Sequence, residues 1–415
     1  GFRLERVIVD IALLVAVAKL LEGLLGRVGV PSFASYVAAG LALGFLGVVS
    51  YSESLSVVAA IAIFFIALYA GLETPFGEFF RLGFKSLPIA LVSFTSTFLV
   101  AAVTSSLLGL DFVDSVVVGL VLSVTALPVA AAILGDLGLL GTRVGALVIG
   151  GAVVKDVLVI IILGLLAGFL ASGSPSIDSL VKAIMGVTVL VLTATLAHTT
   201  LSRVSEGSLA SSLVSRLVKS PEAGLAVVLT AALGLGALSE ALGLHFVIGV
   251  FLAGLLVDES WMGREAHRRA LEAVKGVTVS LLLPLFASII GLIASTTPLS
   301  SLLTIETLWL TLVFTAIALL AKYSSSYLGA RIVGITPAES MLVGIASTLK
   351  GAMDKIVLLV AYQLGILAPH LLMPLMSSLV IVTVAAPIAL RAALRSIPES
   401  VLVEVVAAGR KNVDL

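Results

Sequence analysis

Six charged residues of this sequence sit inside long apolar stretches, grouped on three of them. Lys155 and Asp156 share one, Lys322 lies in a second, and Lys350, Asp354 and Lys355 share a third. A charge held at bilayer depth costs several kcal/mol and marks, by default, a functional site or an ion pair. Asp10 and Lys19 lie toward the two ends of the first apolar stretch, where they read as snorkelling or contact residues. Two stretches also carry helix-breaking chemistry. In Ser123-Val-Thr125-Ala-Leu-Pro128 the proline removes a backbone donor and disfavours helix at Leu127. The freed carbonyls and the Ser123 and Thr125 hydroxyls are hard oxygen ligands suited to a small cation. Ser347-Thr348-Leu349-Lys350-Gly351 is a second polar interruption, marked by Gly351. Pro128 alone would be an ordinary kink. Two breaks beside buried charges are the signature of inverted-repeat transporters, whose site lies where the breaks cross.

The elements that position these residues are membrane spans. Of the 415 residues, 60% are hydrophobic and 12% charged, with a mean hydropathy of +1.24. Soluble domains carry about 25% charged residues, so lipid must cover much of this surface. Zero net charge argues against a nucleic-acid partner. The absence of cysteine excludes disulfides and thiolate metal sites. Four scattered histidines, His198, His245, His267 and His370, argue against a hydrolytic or redox enzyme, and no cofactor is expected beyond transported ions. Asparagine and glutamine occur once each, at Asn412 and Gln363, a scarcity that fits a thermophilic host. Opening on Gly1 rather than Met suggests a trimmed chain. The first apolar segment has no small-residue cleavage site after it and reads as a span, not a signal peptide.

With about 20 apolar residues needed per crossing, the sequence predicts an all-α polytopic membrane protein of about 13 spans. They fall near 6–25, 32–49, 54–72, 86–109, 114–135, 143–170, 180–203, 222–241, 243–257, 273–296, 303–330, 338–364 and 369–391. The polar stretches 203–222 and 258–275 read as loops, and no soluble domain is expected. Odd-numbered loops hold twelve lysines and arginines, from Arg27 to Arg331, against Lys182 alone in the even-numbered ones. The positive-inside rule then predicts an external N-terminus and a cytoplasmic C-terminus in a cell (inner or plasma) membrane.

The stretch from Ser123 to Leu163, SVTALPVAAAILGDLGLLGTRVGALVIGGAVVKDVLVIIIL, resembles the cation/proton antiporters of the Kef and NapA type. In that family a Ser/Thr-Pro break precedes a hydrophilic helix bearing an acidic doublet. Gly71-Leu72-Glu73, GLHFVIGVFLAGLLV at 243–257, AKYSSSYLGAR at 321–331 and KGAMDKIVL at 350–358 are similar to further family segments, in the same order along nearly the whole chain. The resemblance implies NhaA-like inverted repeats in one transmembrane unit, 1–415, and a homodimer. It implies a core domain over about 86–170 and 303–395, in which broken spans five and twelve cross, and a dimerisation domain over about 1–72 and 180–296. It implies that Asp156 binds cation and proton in competition, with Lys322 close by, and that Thr125 and neighbouring carbonyls complete the shell of a transported Na+. Elementary electrostatics agrees, since a carboxylate in a low-dielectric, partly wet cavity can hold a proton or a metal ion in turn.

The doublet departs from the family's pattern. Its first position, Asp, Asn or Gln elsewhere, is Lys155 here. Four lysines (155, 322, 350 and 355) then face two aspartates (156 and 354), and if all were ionised the site would repel cations. Two resolutions stand open. Lys155 pairs with Asp354 while Lys355 or Lys322 pairs with Asp156, or one lysine is neutral and carries the proton. Adjacent helical residues point about 100° apart, so Lys155 need not share a cavity with Asp156. The resemblance implies exchange of Na+ (or Li+) for H+ by an elevator-like movement. Alternatives are K+/H+ exchange or K+ efflux of the Kef type, an anion or organic-acid carrier suggested by the lysine excess, and a non-transporting member. The tail lacks a Gly-rich nucleotide fingerprint, which weighs against the gated Kef form.

Overall fold

The computed structural model describes residues 4–28, 32–73, 76–126, 129–130, 133–134, 137–139, 142–171, 177–206, 220–257, 259–296 and 304–398. Pro128, Arg216 and Lys219 lie outside the described residues, as does the tail beyond Pro398, and of Glu73 only the helical backbone is described. Among the described residues all regular secondary structure is helical, with no strand.

The helices are α1 (Leu4–Leu25), α2 (Ser32–Phe45), α3 (Glu53–Glu73), α4 (Phe76–Leu107), α5 (Phe112–Ser123), α6 (Arg143–Ala171) and α7 (Ile177–Glu206). They continue with α8 (Pro221–Ala241) and α9 (Phe246–Leu256), then α10 (Arg264–Ala294) and α11 (Ile305–Ile332). The last are α12 (Pro337–Ala346), α13 (Ala352–Gln363) and α14 (Pro369–Ser396). Seven described helices are long and apolar enough to cross a membrane: Glu53–Leu72, Ser86–Leu107, Arg143–Gly168, Glu222–Ala241, Arg264–Ala294, Ile305–Ile332 and Pro369–Ser396. Shorter apolar helices occupy Ser35–Phe45, Phe112–Ser123, Ile184–Thr200 and Phe246–Leu256.

The stretch 258–275, expected to be a loop, is instead largely helix. Arg264–Val277 forms the first half of α10. Its charges lie three and four residues apart, so Glu265 pairs with Arg268 at 2.8 Å and with Arg269 at 2.7 Å, and Arg268 reaches Glu272 at 2.8 Å. Such pairs support an exposed helix face modestly, while Ala270 and Val274 face inward. Lys182, the outlier of the loop-charge pattern, forms an exposed pair with Asp178 at 2.7 Å.

Tertiary packing divides the chain into two compact units. The first comprises Gly1–Leu21, Ser35–Gly77 and Ile160–Thr296. Within it α9 packs between α3 and α8. At 11 residues α9 is about 16 Å long, and its residues Val247–Leu256 are buried in protein. A Cβ added at Gly71 would lie 2.2 Å from the Phe251 carbonyl, and one at Gly254 would lie 2.6 Å from the Leu68 carbonyl. Absent side chains thus let α3 and α9 touch backbone to backbone, as membrane helices pack. His245 caps α9, its Nδ1 accepting from the Val247 N–H at 3.4 Å. Asp10 is buried in this unit, and Lys19 donates to the Tyr36 hydroxyl at 3.2 Å.

The second unit comprises Glu22–Ala34, Glu78–Val159 and Thr297–Leu415. In it α11 packs on α12 and α14, and α13 packs on α5 and α14. α12 starts at a capping box in which the Thr336 Oγ1 accepts from the Glu339 N–H at 3.3 Å. A hydroxyl ladder ties α4 to α11 through Ser93–Ser326 at 2.6 Å and Thr97–Ser325 at 3.0 Å, all four residues buried. The second unit holds Lys155, Asp156, Lys322, Lys350, Asp354 and Lys355, all of them buried.

Candidate ion-binding site

Both interruptions fall within the second unit. α5 stops at Ser123, and Val124 turns extended with φ −69° and ψ 146°. α12 stops at Ala346, and helix resumes only at Ala352. A helix end leaves its last carbonyls without intrahelical donors, and at membrane depth these must be satisfied inside the protein. Here each break serves the other. The Ala126 N–H donates to the Leu349 carbonyl at 3.1 Å, and the Thr125 hydroxyl donates to the Ser347 carbonyl at 2.8 Å.

Lysines satisfy the rest of the α5 end. Lys350 Nζ donates to the Val121, Leu122 and Val124 carbonyls at 3.2, 3.0 and 2.9 Å. Lys322 Nζ donates to the Ser123 carbonyl at 2.7 Å and also to that of Val124. Positive charge at a helix C-terminus is favoured by the helix dipole. A π-helical turn over Ile317–Ala321 immediately precedes Lys322, a departure from α-geometry that recurs at functional sites. Lys155 Nζ donates to Thr125 Oγ1 at 3.4 Å, and its charge also acts on its neighbour Asp156.

The Gly351 N–H, which opens α13, donates to Asp354 Oδ1 at 2.7 Å. Lys355 Nζ donates to the Gly351 carbonyl at 2.7 Å and to Thr383 Oγ1 on α14 at 3.1 Å, and lies 3.6 Å from Asp354 Oδ2. Asp156, on α6, is 4% exposed. The charges of Lys322, Asp354, Lys155 and Lys350 act on it. Its Oδ1 is buried and receives no hydrogen bond among the described residues, and the same holds for Asp354 Oδ2.

Most residues singled out in the sequence therefore lie in this unit, and the ion pairs differ from those of the first of the two resolutions left open above. Asp354 meets Lys355 rather than Lys155, and Lys322 spends its protons on carbonyls. Ser123 turns its hydroxyl back onto the Gly119 carbonyl at 2.7 Å; only its own carbonyl joins the site. Sequence reasoning missed Thr383, whose one signal is a lone hydroxyl in the apolar run of α14. It missed the Val121 and Leu122 carbonyls too, because backbone groups carry no residue-type signature.

Gly351 matters for contact. A Cβ there would lie 2.6 Å from Ala126 Cβ and 2.7 Å from Val129 Cγ2. Gly351→Ala is expected to cost about 1–3 kcal/mol by forcing the two breaks apart. Thermal unfolding in detergent would check this, and an unchanged melting temperature would refute the close approach.

The chain matches the family model described as "Sodium/hydrogen exchanger, transmembrane" over residues 12–396. It is 24% identical over 387 residues to the Na(+)/H(+)-K(+) antiporter GerN of Bacillus cereus, covering 91% of this chain and 94% of GerN. It is 22% identical over 372 residues to a Na(+)/H(+) antiporter of Enterococcus hirae, covering 88% and 92% of the two chains. Its fold is that of the sodium proton antiporter MjNhaP1 from Methanocaldococcus jannaschii, with a TM-score of 0.68 over 94% of this chain and 98% of that one, at 15% identity. Matched along nearly its whole length, this chain belongs to the sodium/hydrogen exchangers, within the monovalent cation/proton antiporter superfamily.

Proposed function

We propose that this protein exchanges Na+ (or Li+) for H+ across a cell membrane by alternating access, with Asp156 binding cation and proton in competition. The observation that carries this reading is the Asp156 carboxylate itself, buried within electrostatic reach of Lys322, Lys350 and Asp354 around the two helix breaks, with its Oδ1 free of hydrogen bonds among the described residues. A group so placed can accept a proton or ligate a small cation, but not both, and that exclusion couples the two fluxes. Thr125 Oγ1, which among the described residues accepts one long hydrogen bond, from Lys155, retains a lone pair for the same ion. In this reading the second unit carries the ion and the first is the scaffold of a homodimer. The chain crosses thirteen times, with the N-terminus outside and the C-terminus in the cytoplasm of a heat-adapted host.

K+ is the second cation to test, because the relative GerN is named a Na(+)/H(+)-K(+) antiporter. An anion carrier has less support. Lys322 and Lys350 donate to carbonyls at the α5 end, and those donors are not offered to a carboxylate. The test is proton flux in proteoliposomes under imposed Na+, Li+, K+ and anion gradients, read with an internal pH dye. Proton movement driven by Na+ or Li+ is the expected result. Flux driven only by anion gradients, or none by any cation, would overturn the proposal.

A further inference from the structure

We infer that Asp354 is a second carboxylate ligand of the transported cation, so that the ion is held between α6 and the start of α13 rather than by Asp156 alone. The inference rests on the cation-exchange reading above and names a residue that sets its affinity.

Every lysine of the cluster reaches an oxygen. Lys155 has Thr125, Lys322 and Lys350 have the α5 carbonyls, and Lys355 has the Gly351 carbonyl and Thr383. The two carboxylates are what remain incomplete, each with one buried oxygen that no hydrogen bond reaches among the described residues, Asp156 Oδ1 and Asp354 Oδ2. Asp354 is fully buried. A buried charged oxygen without a donor is costly, and folded proteins fill such places with water or an ion. Two carboxylates that also act on each other electrostatically ask for a cation rather than for a neutral ligand. The unmet groups are hard oxygen acceptors, the donor type that small hard cations take.

The carboxylate of Asp354 is also preorganised. Its Oδ1 is held by the Gly351 N–H at 2.7 Å, next to the Leu349 carbonyl that fixes the crossing through Ala126. That leaves Oδ2 to the ion. Lys355 Nζ, 3.6 Å from Oδ2, is too far for a hydrogen bond and already has two other acceptors. It acts as a tethered competitor whose charge weakens cation binding without filling the ligand position.

Two variants test this in reconstituted protein, with wild-type protein alongside. Asp354→Asn keeps an oxygen for the Gly351 N–H but removes the charge, and the apparent KM for Na+ should rise about tenfold or more. Lys355→Gln keeps hydrogen-bonding capacity and removes the competing charge, and the KM should fall about threefold or more. A merely structural Lys355 would not tighten binding when replaced. Folding is followed by size-exclusion profile and melting temperature. Folded Asp354→Asn with a wild-type KM would overturn the inference, as would Lys355→Gln with an unchanged or raised KM. If Asp354→Asn does not fold, the Lys355→Gln result decides alone. Failure of the wild-type protein to show Na+-driven flux would instead sink the cation-exchange reading, so the two failures are distinguishable.

Discussion

Asp156→Asn is expected to reduce sodium-driven proton flux by about 100-fold or more, a barrier change of about 2.7 kcal/mol, while the protein stays folded. Asparagine matches aspartate in shape, so packing around residue 156 on α6 is preserved. What it loses is both the site where a proton can be held and the negative charge that attracts a cation. The lysine-rich surroundings sharpen the effect. With Asp156 neutral, Lys155, Lys322, Lys350 and Lys355 face Asp354 alone, and an incoming cation meets net repulsion. Stability should move the other way, or not at all. A buried carboxylate with an oxygen lacking a hydrogen-bond partner is itself a cost to the fold, and replacing a poorly compensated buried charge by a neutral group is often neutral or stabilising. The paired readouts are therefore flux in proteoliposomes and melting temperature in detergent. Unchanged exchange in Asp156→Asn would sink the proposed mechanism. A collapse of stability together with activity would assign Asp156 a structural role instead.

The parts of this site that were legible in the sequence share one property, namely a residue type that is out of place in its surroundings. Lys155, Asp156, Lys322, Lys350, Asp354 and Lys355 are charges in apolar runs, and the structure buries all six in one unit. The two interruptions were legible because serine, threonine and glycine cluster there, and α5 and α12 do end at Ser123 and Ala346. The partners were not legible. A lysine side chain reaches far enough to choose among several acceptors, so spacing could not show that Lys350 would turn to three carbonyls of α5 rather than to a carboxylate. Nor could it show that Ser123 would direct its hydroxyl at Gly119, a local bond that serines in helices commonly make. The stretch 258–275 reads as a loop because its composition is polar, although Arg264–Val277 is helix. Its Glu–Arg spacing of three and four residues was the signal that hydropathy alone overlooks.

Lys350→Met is expected to destabilise the protein by about 3 kcal/mol and to abolish exchange, because it strips the donor from the end of a buried helix. Two opposing effects set the sign. Removing the ammonium relieves repulsion with Lys155 and Lys322, on both of which the Lys350 charge acts, and it removes the desolvation cost of a buried charge. Against this, the Val121, Leu122 and Val124 carbonyls lose a donor at 2.9–3.2 Å, and among the described residues only that of Val124 keeps a second lysine, Lys322. Hydrogen bonds to a charged group are worth about 1.5–3 kcal/mol each, and no water from bulk membrane replaces them. Three such bonds outweigh the relief of repulsion between ammoniums that each retain acceptors of their own. The loss is also placed where it does most harm to transport, since Val124 precedes Thr125 and Ala126, the residues that tie the first break to the second. Lys350→Arg, which keeps charge and donors, should recover part of the stability. Lys182→Ala, which removes only an exposed pair with Asp178, should change melting little. A melting temperature for Lys350→Met equal to that of wild-type protein would mean that the α5 carbonyls find other donors, and that Lys350 does not hold the crossing together.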